Sequence, residues 1–352
     1  MKKFSDLPKE LIISILARVS IIQYRVIRLT SKALASLVAS PELYAARSIV
    51  RSRENLVYYC SSDRNQVPRW SSLSKKPEST ATEFTRFCLS EVPMDDPYSG
   101  SSVMVGLENS IYMLDAEDTG SRRLRVLDCS SNQWTQTEPM SHGRDNEAFL
   151  LTFGENLCVL GGIKDESKLR PEVYKPNTSQ WVSLPEPDLG DKSSVILVNS
   201  TDASEIEVWA ISAGEEVPAK RFISNSTTWV WEKKNSSLGR GPANGCLTVV
   251  IGNYIYRIIK GDIIRYDKTT VLWSMVQGFG EFERQPFQAI RYGSNMLAFW
   301  NVWLSEGRKE VWCTEISFEI RGDQVFGNQI WKALVKIEDK GYTFLGSTTV
   351  NV

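Results

Sequence analysis

The sequence predicts a mainly β protein, built as a ring of repeats and preceded by a small module of three helices. Three observations predict it: a recurring tryptophan, a strand pattern that recurs with it, and an apolar stripe of helical period in the first residues. The tryptophans Trp70, Trp134, Trp181, Trp229, Trp273 and Trp331 are spaced by 64, 47, 48, 44 and 58 residues. Self-similarity at a period near 45 to 50 residues is the pattern of a β-propeller, in which each repeat is one four-stranded blade.

The units align on more than tryptophan. Ile111 to Leu114 precedes Leu124 to Asp128 and then Asn132-Gln133-Trp134, while Leu157 to Gly162 precedes Glu172 to Asn177 and then Ser179-Gln180-Trp181. Tyr254-Ile255-Tyr256 precedes Ile264 to Asp267 and Leu272-Trp273 in the same order. Apolar runs of this length suit strands covered on both faces, and the Gly161-Gly162 pair permits backbone angles that a side chain would forbid. The Tyr-x-Pro-Asn or Tyr-Asp step leads into a turn, and the tryptophan fills space between blades. Four units are plain, around Trp134, Trp181, Trp229 and Trp273. A fifth spans Met296 to Trp331. Leu56 to Tyr59, Arg69 to Leu73 and Phe84 to Glu91 read as three strands of a sixth, whose missing first strand is expected from Tyr342 to Val352.

At the other end, Pro8 suits a first helical turn because its missing donor needs no partner there, and Glu10 favours the positive end of the helix dipole. A helix is expected from about Pro8. Leu11, Ile12, Ile15, Leu16 and Val19 fall on one side of a 3.6-residue period, with Lys9, Ser14 and Arg18 off it. A segment this short is near the lower limit for building a core alone, so a partner or a neighbouring domain should cover that face.

Phe4 to Ile12, Ile15 to Val19, Leu29-Thr30-Ser31-Lys32 and Ser40 to Tyr44 together resemble an F-box, with Ser20 where the family often has proline and Ala33-Leu34 in place of a frequent aromatic. The repeated body resembles the kelch motif, degenerate in that only one glycine pair is intact. The combination is similar to plant-type F-box/kelch-repeat proteins, and Val67 to Trp70 through Lys75-Lys76-Pro77 matches their first blade. The resemblance implies a substrate-recognition subunit of an SCF-type ubiquitin ligase, joined through a Skp-type adaptor to a cullin scaffold. A kelch interaction scaffold unrelated to ubiquitination is the alternative. The expected division is an F-box over 1–46, a connector over 47–54 and a six-bladed ring over 55–352. Leu7, Pro8, Leu11, Ile12, Ile15, Leu16, Ile27, Leu29, Leu34 and Leu37 are expected to divide between the F-box core and the adaptor surface.

With 41 Lys and Arg against 42 Asp and Glu, no net field attracts nucleic acid or an anionic membrane. Neither a secretory core nor an apolar span of about 20 residues opens the chain, so a cytoplasmic or nuclear protein is expected. Six scattered cysteines without C-x-x-C spacing suggest buried free thiols. His142 is the only histidine, which leaves copper, zinc and histidine-based nucleophilic chemistry short of residues; it reads as a solvated loop side chain. Asp95-Asp96, Glu117-Asp118 and Glu215-Glu216 read as solvated loop charges, and no phosphate-cradling glycine loop is present. No catalytic role and no cofactor are expected. The loops joining second to third strands are charged, and Arg122, Arg123, Arg170 and Arg221 are the candidate anchors of a substrate face, since the arginine fork can bond bidentately.

Overall fold

The computed structural model describes residues 7–50, 54–65, 67–75, 87–92, 102–115, 120–130, 133–145, 147–163, 169–188, 193–202, 205–212, 220–225, 230–234, 247–267, 270 and 272–351. The N-terminal module holds α1 (Lys9–Leu16), α2 (Tyr24–Ile27) with a 3-10 turn before it, α3 (Lys32–Val38) and α4 (Pro41–Ile49). Pro8 caps α1 with extended backbone, and the Ser31 hydroxyl accepts from the Leu34 backbone N–H at 3.1 Å to start α3. The last helix runs to Ile49, three residues past the expected F-box boundary at 46.

The body is a ring of four-stranded antiparallel units. In chain order the strands are β1 (Asn55–Ser62), β2 (Pro68–Lys75) and β3 (Phe87–Glu91); β4 (Ser102–Leu107), β5 (Ser110–Asp115), β6 (Arg125–Asp128) and β7 (Gln133–Gln136); β8 (Phe149–Phe153), β9 (Asn156–Leu160), β10 (Glu172–Lys175) and β11 (Gln180–Ser183). They continue as β12 (Ser193–Asp202), β13 (Glu205–Ser212), β14 (Lys220–Asn225) and β15 (Trp231–Lys234); β16 (Leu247–Ile251), β17 (Tyr254–Ile259), β18 (Asp262–Asp267) and β19 (Leu272–Gln277). The last are β20 (Gln288–Tyr292), β21 (Asn295–Trp303), β22 (Arg308–Arg321), β23 (Gln324–Asp339) and β24 (Thr343–Asn351). Blade one has the order β24-β1-β2-β3, so its first strand comes from the far end of the sequence. Blades two to six each take four consecutive strands. The first strands β24, β4, β8, β12, β16 and β20 each contact the next around the circle, and β20 contacts β24. Six blades therefore meet in a closed ring.

Close approach at the seam between blades one and two explains a small residue. A side chain on Gly106 would stand 1.9 Å from the Thr349 carbonyl oxygen, and the Gly106 N–H donates to the Thr348 hydroxyl at 2.8 Å. Blades five and six are joined differently. The 14-residue β22 and 16-residue β23 outrun their neighbours, and β23 pairs in parallel with β19 at Val276↔Val325 and Gln277↔Phe326, making one eight-stranded sheet. Such sharing of a sheet was not visible in the repeat spacing.

Tryptophans on the outer strands stitch blade to blade. Trp181 on β11 donates its indole N–H to the Glu138 carbonyl at 2.7 Å, and Trp231 on β15 does the same to the Pro185 carbonyl at 2.7 Å. Each acceptor lies just past the outer strand of the preceding blade. In the fourth blade Trp231 takes this role, and the expected Trp229 lies outside the described residues. Trp181→Phe keeps the ring and deletes the donor, so it is expected to lower stability by about 1 kcal/mol, read by urea denaturation.

Cys60, Cys129, Cys158 and Cys313 are buried free thiols and Cys88 is half-buried, while Cys246 lies outside the described residues. Among the described residues no helix is long and apolar enough to cross a membrane.

Candidate functional site

The helical stripe splits into two faces. Ile12 and Leu16 turn inward and are buried, joining Tyr24, Val38 and Leu43 in one apolar cluster with Leu56, Tyr58, Trp70, Met113 and Leu127 of the ring. Ile27, Leu34 and Leu37 are half-buried against the same cluster. Leu7, Pro8, Leu11 and Ile15 face outward, with Leu11 52% exposed, and Leu29 on the next turn is 83% exposed. Leu11 and Ile15 are four residues apart on α1, about 6 Å along the axis, so they lie on one face of the helix, and Leu7 and Pro8 lead into it. Val26 on α2 and Ile49 at the end of α4 are exposed as well and were not singled out from the sequence.

A buried arginine holds this module in shape. The Arg47 guanidinium donates to the Val19 carbonyl at 2.7 Å, to the Ala17 carbonyl at 3.4 Å and to the Tyr24 hydroxyl at 3.2 Å, and it pairs with Glu54 at 3.5 Å. Glu54 in turn accepts from the Ser20 hydroxyl and the Ile21 N–H, both at 3.1 Å. Tyr24 donates to the Leu16 carbonyl at 2.7 Å; burial raises its pKa, and Arg47 offsets part of that rise. Two carbonyls past the end of α1, the Tyr24 hydroxyl of α2 and the Glu54 carboxylate thus converge on the one cation that α4 supplies. Nothing in the sequence pattern separates Arg47 from an ordinary last-turn arginine.

The module touches one end of the ring. Leu56 begins β1, Ile111 begins β5 and Cys129 follows β6, and all three belong to the shared cluster. Connections from second to third strands leave from the opposite end. Arg122, Arg123, Arg170 and Arg221 belong to those connections or the strands they enter, so the topology brings them to one face without gathering them into one cluster. Arg122 Nε donates to the Met140 carbonyl at 2.8 Å and Arg123 to the Thr137 carbonyl at 2.7 Å, which binds both to the linker after their own blade. Arg170 has a left-handed φ of 43° and its N–H donates to Glu186 at 2.8 Å. Arg221 lies on β14, with its side chain outside the described residues.

The same face contains a buried ion pair missed by sequence reasoning. Arg144 donates to the Gly161 carbonyl at 2.8 Å, the Leu169 carbonyl at 3.0 Å and the Arg170 carbonyl, and pairs with Glu172 at 2.8 Å. Both side chains are almost fully buried. Burial by itself would raise the Glu172 pKa, but the Ser141 N–H at 2.8 Å and the Arg144 guanidinium outweigh it and hold the carboxyl below its ordinary value. His142 is not simply solvated: its N–H donates to Glu172 at 3.3 Å and its Nδ1 lies 3.4 Å from the same carboxylate. Among the described residues no group of three or more His, Cys, Asp or Glu is placed to hold a metal ion. The acidic pairs Asp95-Asp96, Glu117-Asp118 and Glu215-Glu216 lie outside them.

The model of the FKB95 kelch-repeats domain matches residues 70–336, and the F-box domain model matches residues 4–46. The chain belongs to the F-box/kelch-repeat family. It is 28% identical to F-box/kelch-repeat protein At5g39560 of Arabidopsis thaliana over 93% of this chain and 87% of that one. It is 27% identical to the putative F-box/kelch-repeat protein At4g39756 of the same plant, over 97% and 93%. Among solved structures it aligns with the crystal structure of a nidogen/laminin complex at a TM-score of 0.46 and 12% identity, over 84% of this chain and 98% of that one. The domain pair supports a substrate-adaptor role in general: an F-box implies a Skp-type adaptor as partner, and a kelch domain implies a protein target. Members of this F-box/kelch-repeat family are typically non-catalytic.

Proposed function

We propose that this F-box/kelch-repeat protein is the substrate-recognition subunit of an SCF-type ubiquitin ligase, working in the cytoplasm or nucleus. Residues 1–46 dock on a Skp adaptor and through it a cullin scaffold, and the ring of residues 55–352 holds the target. One observation carries the reading. Ile12 and Leu16 are buried in the cluster that the module shares with the ring, while Leu7, Pro8, Leu11, Ile15 and Leu29 stay exposed. Five exposed apolar positions on so small a module favour a protein interface.

The two halves of the stripe make the test sharp. Leu11→Asp with Ile15→Asp places charge on the exposed strip, so adaptor co-purification is expected to be lost with an unchanged melting temperature. The milder Leu7→Ala with Pro8→Ala pair should weaken the same contact. Ile12→Ala, on the inward side, is expected to cost about 2 to 5 kcal/mol of stability. Recovery of the Leu11→Asp, Ile15→Asp protein with adaptor at wild-type yield would sink the docking claim. A wild-type chain that recovers targets but no adaptor would instead be a kelch scaffold outside ubiquitination.

A further inference from the structure

Beside the connector, where blades six and one meet, a pocket of about 360 Å³ is lined by Glu54, Lys75, Phe87, Tyr292, Glu315 and Trp331, together with aliphatic side chains of β1 and β2. The strands bring three aromatic rings to it. Phe87 opens β3, Tyr292 ends β20, and Trp331 on β23 lies opposite Glu315 on β22. Phe87 and Trp331 stack across the seam with centroids 4.0 Å apart. All three rings are half-buried, so each keeps accessible surface.

The two carboxylates of the pocket are held differently. Glu54 already pairs with Arg47 and accepts from Ser20 and Ile21. Glu315 has neutral partners alone among the described residues: the Trp331 indole N–H donates to one oxygen and the Asn295 amide to the other, both at 2.6 Å. A neutral side chain could serve the indole as well, so these bonds account for the position of Glu315 and not for its charge. Lys75, at the end of β2, is exposed and has no ion-pair partner among the described residues, so it does not neutralise Glu315 by contact. Burial raises the Tyr292 pKa, and the Glu315 and Glu54 carboxylates raise it further, so their negative potential reaches that ring.

A carboxylate without a counter-charge, beside three aromatic rings in a half-buried pocket, favours a cation with an apolar stem. We propose that this pocket binds one organic cation, a guanidinium or alkylammonium head group set against Glu315 with its stem on the Phe87 and Trp331 rings. Such a head group belongs to an arginine or lysine side chain of a target protein or to a free small cation. The first source rests on the reading of the ring as a target receptor, and the second does not. The pocket draws on β1, β2 and β3 of blade one and on β20, β22 and β23 of blade six, so it exists only when the ring is closed.

Magnetic resonance of isotope-labelled tryptophan indoles in the full chain tests this, the Trp331 signal being the one that disappears in Trp331→Phe. The probes are butylguanidinium, butylammonium, the neutral isostere butylurea and a capped Gly-Arg-Gly peptide. Both small cations are expected to shift the Trp331 signal and to bind at least about tenfold more tightly than butylurea. Glu315→Gln, close in shape, is expected to fold and to lose at least about tenfold in cation affinity, while Lys75→Glu at the exposed end of β2 should gain. Equal binding of butylguanidinium and butylurea overturns the proposal, as does unchanged cation binding in Glu315→Gln. If Glu315→Gln fails to fold, Lys75→Glu decides, and no gain there overturns it. Peptide binding at least as tight as that of butylguanidinium assigns the site to a protein side chain, and weaker peptide binding assigns it to a free small cation. Neither adaptor nor target enters the titration, so failure here stays separate from failure of ligase docking.

Discussion

Deleting Tyr342 to Val352 is expected to convert a soluble monomer into aggregate. The lost strand β24 pairs with β1 from Asn55↔Asn351 to Ser62↔Thr343, and its inner side packs on β4 and β20. Removing it leaves the backbone donors and acceptors of β1 without a ladder and strips cover from buried Tyr58, Cys60 and Met113. An unpaired strand edge of eight residues is a template for pairing with other chains. Size exclusion and a thermal melt decide the matter. A monomeric truncation with an unchanged melting temperature would show that the ring does not depend on this strand. A gentler version is Gly106→Ala, which drives a methyl group into the Thr349 carbonyl and should lower the melting temperature without shortening the chain.

Arg144→Ala is the single substitution expected to cost most in the ring, about 3 to 5 kcal/mol by denaturant titration. It leaves Glu172 charged and buried, and it strands the carbonyls of Gly161, Leu169 and Arg170. Replacing both partners by apolar residues of similar volume should recover much of the loss, because the penalty lies in the uncompensated charge. The pair also predicts a pH response. Glu172 has a folded pKa held below its ordinary value, so the stability it contributes is present above the unfolded carboxylate range and is lost as pH falls through the folded value. Wild type should weaken through that acid window, and Arg144→Ala should show less of this dependence. Parallel acid titrations of the two proteins would argue against the assignment.

Local periodicity made much of this molecule readable. The helical stripe, the strand runs around Ile111, Leu157 and Tyr254, and the paired glycines at 161 and 162 are each decided within a few neighbouring residues. What periodicity cannot do is tell Leu11 from Ile12. Both are apolar and adjacent, and which one is buried depends on how the later helices and the ring pack around α1, far along the chain. Ion pairs were hardest to see. Arg144 and Glu172 are 28 residues apart, Lys309 and Glu338 come from different strands, and each looks like an ordinary loop or edge charge until the fold buries it. The expected arginine platform illustrates the converse: Arg122 and Arg123 share a face as the topology requires, yet they bond to the linker after their own blade.

The interval between β1 and its ring-closing partner has a consequence for how the protein is made. Ribosomes add about 5 to 20 residues per second, so β1 waits roughly a quarter of a minute to a minute before β24 emerges. During synthesis the outward strip of Leu7, Leu11 and Ile15 leaves the tunnel first, and the seam between blades six and one forms last. A nascent chain thus exposes that strip before it possesses a closed ring. Under the proposed adaptor docking, chains that stall or break before β24 would occupy adaptor with an open, unpaired β1 edge, which makes their rapid clearance by the cell's own quality control advantageous.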